Sequence, residues 1–365
     1  DWDLVIFDEV HKGKETIRTD NLLLQLKYKK LIGLSATPTK NIARGTFIPE
    51  NIHIYDLISE RLYKEKYGRT MYNLPDIRFN LMFCDDIKNE LKYFEEEEYF
   101  NFKKFFRVDD GQLRYYDDIQ LFFKWVFGVG GRFRDNALDN IIGRLDIENI
   151  LIFVESNECQ SLLIDCLNDI GGRFDNYNLY YTNSSVNNSK QLLRMIDTID
   201  NTPGKSIIFA NKQLTTGITL RKCDIVMFMN DWKSMDEYIQ ASYRCQSPST
   251  TKRKRFTNVF DFNPSRSFNI LYDYIRNSSI KRTYDFDESI KEFLRCANVN
   301  LYESGRFQQI DFESFKNNII KNFDFKNTNI YKSVSSLIDL SDLSDDVRND
   351  MLNFGNFSTS KSKKN

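Results

Sequence analysis

Short unbroken apolar runs alternate with amphipathic stretches along most of this chain. The first, Leu-Val-Ile-Phe at residues 4–7, ends in acids and reads as a buried parallel strand. A helix is expected over 20–27 and a second strand from Lys30 to Leu34. Pro38, in Ser35-Ala36-Thr37-Pro38, stops that strand, since it cannot donate to a ladder. Residues 52–67 read as a helical or mixed connector.

The character changes over 76–147. An acid run, Glu95 to Glu98, sits in an aromatic-rich helical pattern continued by Phe100, Phe102, Phe105 and Phe106. These rings suit either a surface on which bases stack or the core of a small helical insert. The acidic neighbours repel phosphate and favour the core.

A second α/β series begins at Asn149. Strands are expected at Ile150–Val154, Tyr177–Tyr181, Ser206–Ala210, Ile225–Met229 and Thr257–Phe262. Helices are expected at 157–170, closed by Gly171-Gly172, at 187–199, and from Asp236 to Tyr243. This alternation predicts a parallel sheet with helices on both faces. After about residue 280 the chain reads as helical without a chemical motif, and the polar tail Ser358–Asn365 as disordered.

A chain of 365 residues suits two or three domains. Its formal net charge of −1 means that any nucleic-acid contact is a local groove rather than a basic surface. No apolar run is long enough for a membrane span. The six cysteines, Cys84, Cys159, Cys166, Cys223, Cys245 and Cys296, form no CxxC pair, and the histidines are His11 and His53. A zinc site and a disulfide framework are not expected; reduced cysteines in a cytoplasmic or nuclear protein are. The chain opens on Asp1-Trp2-Asp3 and then on an interior-type strand, so something is expected to precede it.

Candidate chemistry begins at Asp8-Glu9-Val10-His11, directly after the first strand. Acids at the carboxyl end of a parallel strand lie where open α/β sheets bind ligands. Two there suit nucleotide hydrolysis, one holding Mg²⁺ and the other orienting and deprotonating water. Ser35-Ala36-Thr37 ends the next strand, where hydroxyls can bond His11 and relay the nucleotide state.

Together these resemble motifs II and III of superfamily 2 helicases, the DExH box and the SAT tripeptide. Ile150–Val154 with Glu155-Ser156 resembles motif IV. Ile207–Ala210 followed by Thr215-Thr216-Gly217-Ile218-Thr219-Leu220 resembles motif V. Gln240-Ala-Ser-Tyr-Arg244-Cys-Gln246 resembles motif VI. The wording is most similar to helicases of large DNA viruses, with bacterial restriction-type helicases next. A virion or virus factory is then a further expected location.

The resemblance implies an α/β fold of tandem RecA-like lobes: a truncated first lobe to about 75, a helical insert over 76–147, a second lobe over 148–280, and a helical extension over 281–365. It implies an ATP- and Mg²⁺-dependent helicase or translocase, with DNA the expected strand rather than RNA. Asp8 would hold the metal and Glu9 activate water. Arg244 would serve as arginine finger, with His11 and Gln240 at the nucleotide. Ser156, Thr215, Thr216 and Gly217 would touch nucleic acid. Ser35, Ala36 and Thr37 would couple the two sites.

Two departures stand out. The family's second arginine of motif VI is Ser247 here, and its motif V acid is Thr219. They leave open a scaffold with a degenerate ATPase. A double-strand translocase of Swi/Snf or restriction type is a third reading. Pro203-Gly204-Lys205-Ser206 imitates a phosphate-binding loop, but its leading glycine position is Ile199 and it enters a strand. The fragment is therefore expected to be inactive alone. Lys252-Arg-Lys-Arg255 reads as a solvated loop, with a nucleic-acid patch as the alternative.

Overall fold

Two sheets of different character carry the chain. The computed structural model describes residues 2–7, 26–35, 51–53, 55–70, 73–182, 189–215, 218–249, 252, 254–279, 285–303 and 305–322. The expected helix over 20–27 and the tail at 358–365 lie, wholly or mostly, outside these. β1 (Trp2–Phe7) and β2 (Tyr28–Gly33) pair in parallel as a two-stranded sheet. The first apolar run does form a strand, but it is not buried: Leu4 is 44% and Ile6 59% exposed. Two strands alone cannot cover both faces of a parallel sheet.

The second sheet has eight strands. In chain order they are β3 (Asp76–Leu81), β6 (Asn149–Val154), β7 (Tyr177–Tyr181), β8 (Lys205–Ala210), β9 (Cys223–Met229), β10 (Phe256–Asp261), β11 (Asn298–Glu303) and β12 (Arg306–Gln309); β4 (Val108–Asp109) and β5 (Gln112–Leu113) form a separate small hairpin. Their spatial order is β12-β11-β3-β10-β9-β6-β8-β7. All neighbours are parallel except β11 and β12. The central strands β6 and β9 are buried at every position, as near-continuous apolar runs require.

The longer helices are α1 (Leu57–Tyr67), α2 (Tyr116–Val126), α3 (Cys159–Ile170), α4 (Ser189–Asn201), α5 (Met235–Ser242), α6 (Pro264–Ser279), α7 (Phe286–Cys296) and α8 (Phe312–Asn322). Their starts follow local chemistry. Ser234 Oγ accepts from the Glu237 amide at 3.3 Å, an S-x-x-E start. Asp285 caps α7 through the Glu288 amide at 2.7 Å. α3 ends where Gly171 and Gly172 take φ of 61° and 64°, a conformation that glycine adopts without a Cβ penalty. None of the described helices is long and apolar enough to cross a membrane.

Three sequence expectations need correction. β3 is part of the large sheet, between β10 and β11, rather than part of a helical insert. Asp-Ile-Arg-Phe-Asn-Leu puts Ile77, Phe79 and Leu81 on one face and polar residues on the other, so it lacks a solid apolar run. The stretch after 280 is not all helical, since β11 and β12 form a hairpin through Gly305 at φ 80°. Lys252–Arg255 is not a purely solvated loop: the Lys254 ammonium is internal and donates to the carbonyls of Cys223 (2.6 Å) and Ser247 (3.1 Å).

The aromatic positions of 93–127 are core. Phe102, Phe105 and Phe122 are fully buried. Phe122 lies 5.3 Å from Phe262 and 6.1 Å from Phe102, in edge-on contacts that join this segment to the sheet. Each such ring contributes about 1.5–3 kcal/mol on burial.

Candidate functional site

Polar side chains collect where the parallel strands of the large sheet end, the position at which open α/β sheets bind ligands. After β6 come Glu155 and Ser156; after β8, Asn211; after β9, Asn230 and Asp231; after β10, Asn263 and Arg266. Each is tied to the next segment. Asn211 donates to the Glu155 carbonyl at 3.0 Å. Fully buried Asn230 donates to the Phe153 carbonyl at 3.2 Å. Glu155 accepts the Asp231 amide at 3.0 Å, and Asp231 accepts the Lys103 amide at 3.2 Å.

Arg266 braces this rim. It donates to the Asn230 side chain at 3.0 Å and backbone carbonyl, and pairs with buried Asp261. Its guanidinium also stands 5.8 Å from the Phe228 ring and 5.7 Å from that of Tyr238. Burial pushes the Asp231 carboxyl up, and the like charge of Glu155 adds to this; the Lys103 amide and Arg266 oppose it. Sequence reasoning missed Asn230, Asp261 and Arg266. The available signal was a polar residue at the end of each apolar strand.

Arg244 lies in a 3₁₀ turn, Tyr243–Gln246, that continues α5. Its Nε and Nη2 donate to the Thr215 carbonyl at 3.1 and 2.5 Å, and Nη1 donates to the Ile218 carbonyl. The structure thus joins the two motif-like segments at 215–220 and 240–246 through one guanidinium. Gln246 extends the linkage, donating to the Pro75 carbonyl at 2.9 Å just before β3.

The remaining candidates divide. Gln240 is buried on α5. Thr215 is buried, and its hydroxyl donates to the Lys212 carbonyl at 2.7 Å, so that proton is already used. Ser156 Oγ accepts the Cys159 amide at 3.3 Å at the start of α3. Ser35 follows β2 and is half-buried. Asp8, Glu9, His11, Ala36, Thr37, Thr216 and Gly217 lie outside the described residues, and with Asp8 the expected metal ligand.

Of this lobe's candidate nucleotide ligands, Arg244 has the chemistry to meet a phosphate. Arg244 bonds neutral carbonyls, weaker acceptors than phosphoryl oxygens, which it can exchange for them. Of the basic run, Lys252 pairs with Asp224 at 2.8 Å and Glu148 at 3.2 Å.

Residues 134–248 match the model of the helicase conserved C-terminal domain, a span that contains Ser156, Thr215, Gln240 and Arg244. The chain is similar to a putative type II restriction enzyme and methyltransferase of Mycoplasma pneumoniae, 21% identical over 76% of this chain and 48% of that protein. It spans about half the length of this curated relative. Among solved structures it resembles an ATP-dependent Type ISP restriction-modification enzyme, LlaBIII, bound to DNA, with TM-score 0.50, 15% identity, 88% of this chain and 23% of that one covered. A fragment of a putative HsdR subunit of a type I restriction enzyme from Vibrio vulnificus gives TM-score 0.48 and 17% identity, covering 84% of this chain and 49% of that one. The likeness to LlaBIII shows a shared RecA-like α/β fold. These relatives are restriction enzymes, and the viral placement suggested by motif wording finds no support in them.

Proposed function

We propose that this chain, whose residues 134–248 match the helicase conserved C-terminal domain, belongs to an ATP-driven translocase of superfamily 2 that moves on nucleic acid. DNA is the proposed strand and the restriction type the proposed class, a reading supported by the relatives above. The observation that carries it is the link from Arg244 to the carbonyls of Thr215 and Ile218. A guanidinium that leaves those carbonyls for a phosphoryl oxygen releases the segment assigned to the nucleic acid. Nucleotide state and strand grip are coupled through one side chain.

In this reading Asp8 would hold Mg²⁺, and Gln240, His11 and Arg244 would hold ATP, which would supply the phosphoryl-transfer free energy. Glu9 orients and deprotonates water. Ser35, Ala36 and Thr37 relay between sites. Ser156, Thr216 and the backbone of Gly217 would contact a strand phosphate, while the Thr215 amide and hydroxyl both donate to the Lys212 carbonyl and hold the turn instead.

The test is nucleic-acid-stimulated phosphate release by the full-length protein. Glu9→Gln should lower hydrolysis by roughly 10²–10⁴-fold with ATP binding kept. Arg244→Ala should slow it too, by up to the roughly 10³–10⁵ of other arginine fingers. A degenerate ATPase is the second reading, favoured by Ser247, Thr219 and the engagement of Arg244 with its own lobe. Full-length protein with no turnover on either DNA or RNA would establish it instead.

A further inference from the structure

Among the described residues, the amino ends of β3 and β10 carry more positive charge than nearby acids neutralise. A cavity of about 460 Å³ there is lined by Arg69, Asn73, Lys254 and Arg255. None of these residues belongs to the site assigned above. Around it, four cations meet four acids. Lys64 lies 3.1 Å from Asp76 and 3.3 Å from Glu60, and Arg69 also pairs with Asp76. Lys252 pairs with Glu148 and Asp224, and Lys254 lies 3.9 Å from Asp224.

Two arginines are left over. Neither Arg78 nor Arg255 has an ion pair among the described residues. Both reach the ring of Phe256, at 3.9 and 5.2 Å. Arg144, the next cation that Arg78 feels, is itself matched by Asp146 at 2.6 Å. Burial lowers the Arg78 pKa, and the like charges of Arg144 and Arg255 lower it further, against Asp76. Donors outnumber acceptors as well. Asn258, 3% exposed, sits opposite Arg78 in the ladder. Its Oδ1 accepts from Asn80 at 3.2 Å, while its Nδ2 makes no hydrogen bond among the described residues.

We propose that this cavity binds a phosphoryl group, with Arg255 as its ligand and Arg78 at the same Phe256 ring adding charge, while Arg69, held by Asp76, lines the wall. Two uncompensated charges suit a phosphate dianion, and planar guanidinium forks suit its oxygens. A free phosphate compound and the terminal phosphate of a strand share this chemistry.

Calorimetric titration of the chain with inorganic phosphate at pH 7.5 and low ionic strength tests the site. Arg255→Gln should weaken binding by at least about tenfold, Arg255→Lys by less, and Arg306→Gln, an equal charge change on β12, by under about twofold. Arg255 is exposed, so folding should be unaffected, and the lysine variant covers the case in which it is not. No phosphate binding by the wild type, or equal binding by Arg255→Gln, overturns the proposal. A second arm compares 5′-phosphorylated with 5′-hydroxyl oligothymidylate. A preference for the phosphorylated strand that Arg255→Gln abolishes assigns the site to strand ends. Equal binding of the two strands, with inorganic phosphate still bound, assigns it to a free phosphate compound.

Discussion

Leu4-Val-Ile-Phe7 in β1 and Ile150-Leu-Ile-Phe-Val154 in β6 are near copies as sequences, and they have opposite fates. β6 is hydrogen-bonded on both sides, to β8 and β9, and every one of its residues is buried. β1 has β2 as its partner, and Trp2 and Ile6 are 63% and 59% exposed. An apolar run therefore specifies a strand, while its burial belongs to the neighbours that arrive on its edges and faces.

The widest separation should come from a charge placed in each strand. Ile152→Asp should cost about 4 kcal/mol or more and prevent folding, because it buries an unpaired carboxylate. Ile6→Asp should stay within about 0.5 kcal/mol in this chain. Urea midpoints of the two variants decide the matter, and equal losses would mean that β1 is covered. A cavity gives a middle-sized contrast. Phe209→Ala in β8 should cost about 3–5 kcal/mol and Ile32→Ala in β2 under about 1 kcal/mol, measured the same way.

The smallest contrast concerns acids. Asp3 in β1 is 85% exposed and pairs with Lys29 at 2.5 Å, so Asp3→Asn should change stability by less than about 1 kcal/mol. Asp231 at the end of β9 has its pKa raised by burial. A raised carboxyl gives stability that is present below its unfolded pKa and lost as pH rises through the folded one. Asp231→Asn removes that loss. Its stability relative to wild type should therefore be more favourable at pH 7.5 than at pH 4.5. A pH-independent difference would show that Asp231 is solvated like Asp3.

The sequence exposed what depends on local pattern. β6 to β10 were read to within two residues, most readily β6, β8 and β9, because buried parallel strands are near-continuous apolar runs between turn residues. β3 and β11 escaped because each shows alternate apolar positions, Ile77, Phe79 and Leu81 or Val299 and Leu301, around asparagines and an arginine. Their polar face is satisfied across strands: Asn300 donates to Asn80 at 2.9 Å, and Asn80 donates to Asn258. Arg244 could be singled out by its spacing from Gln240. Its carbonyl partners could not, since they depend on how two distant segments approach. Arg266 and Asp261 lie in no motif, and tertiary contact alone makes them a pair.

The place of β3 between β10 and β11 has a consequence for biosynthesis. Asn80 must wait for Asn258, 178 positions later. At roughly 5–20 residues per second of translation, that is about 10–35 s during which Ile77, Phe79 and Leu81 have no partner strand. The nascent sheet meanwhile ends at β9, with an open apolar edge of the kind that recruits foreign strands. Completion of the sheet, and so escape from aggregation, comes with the last third of the chain.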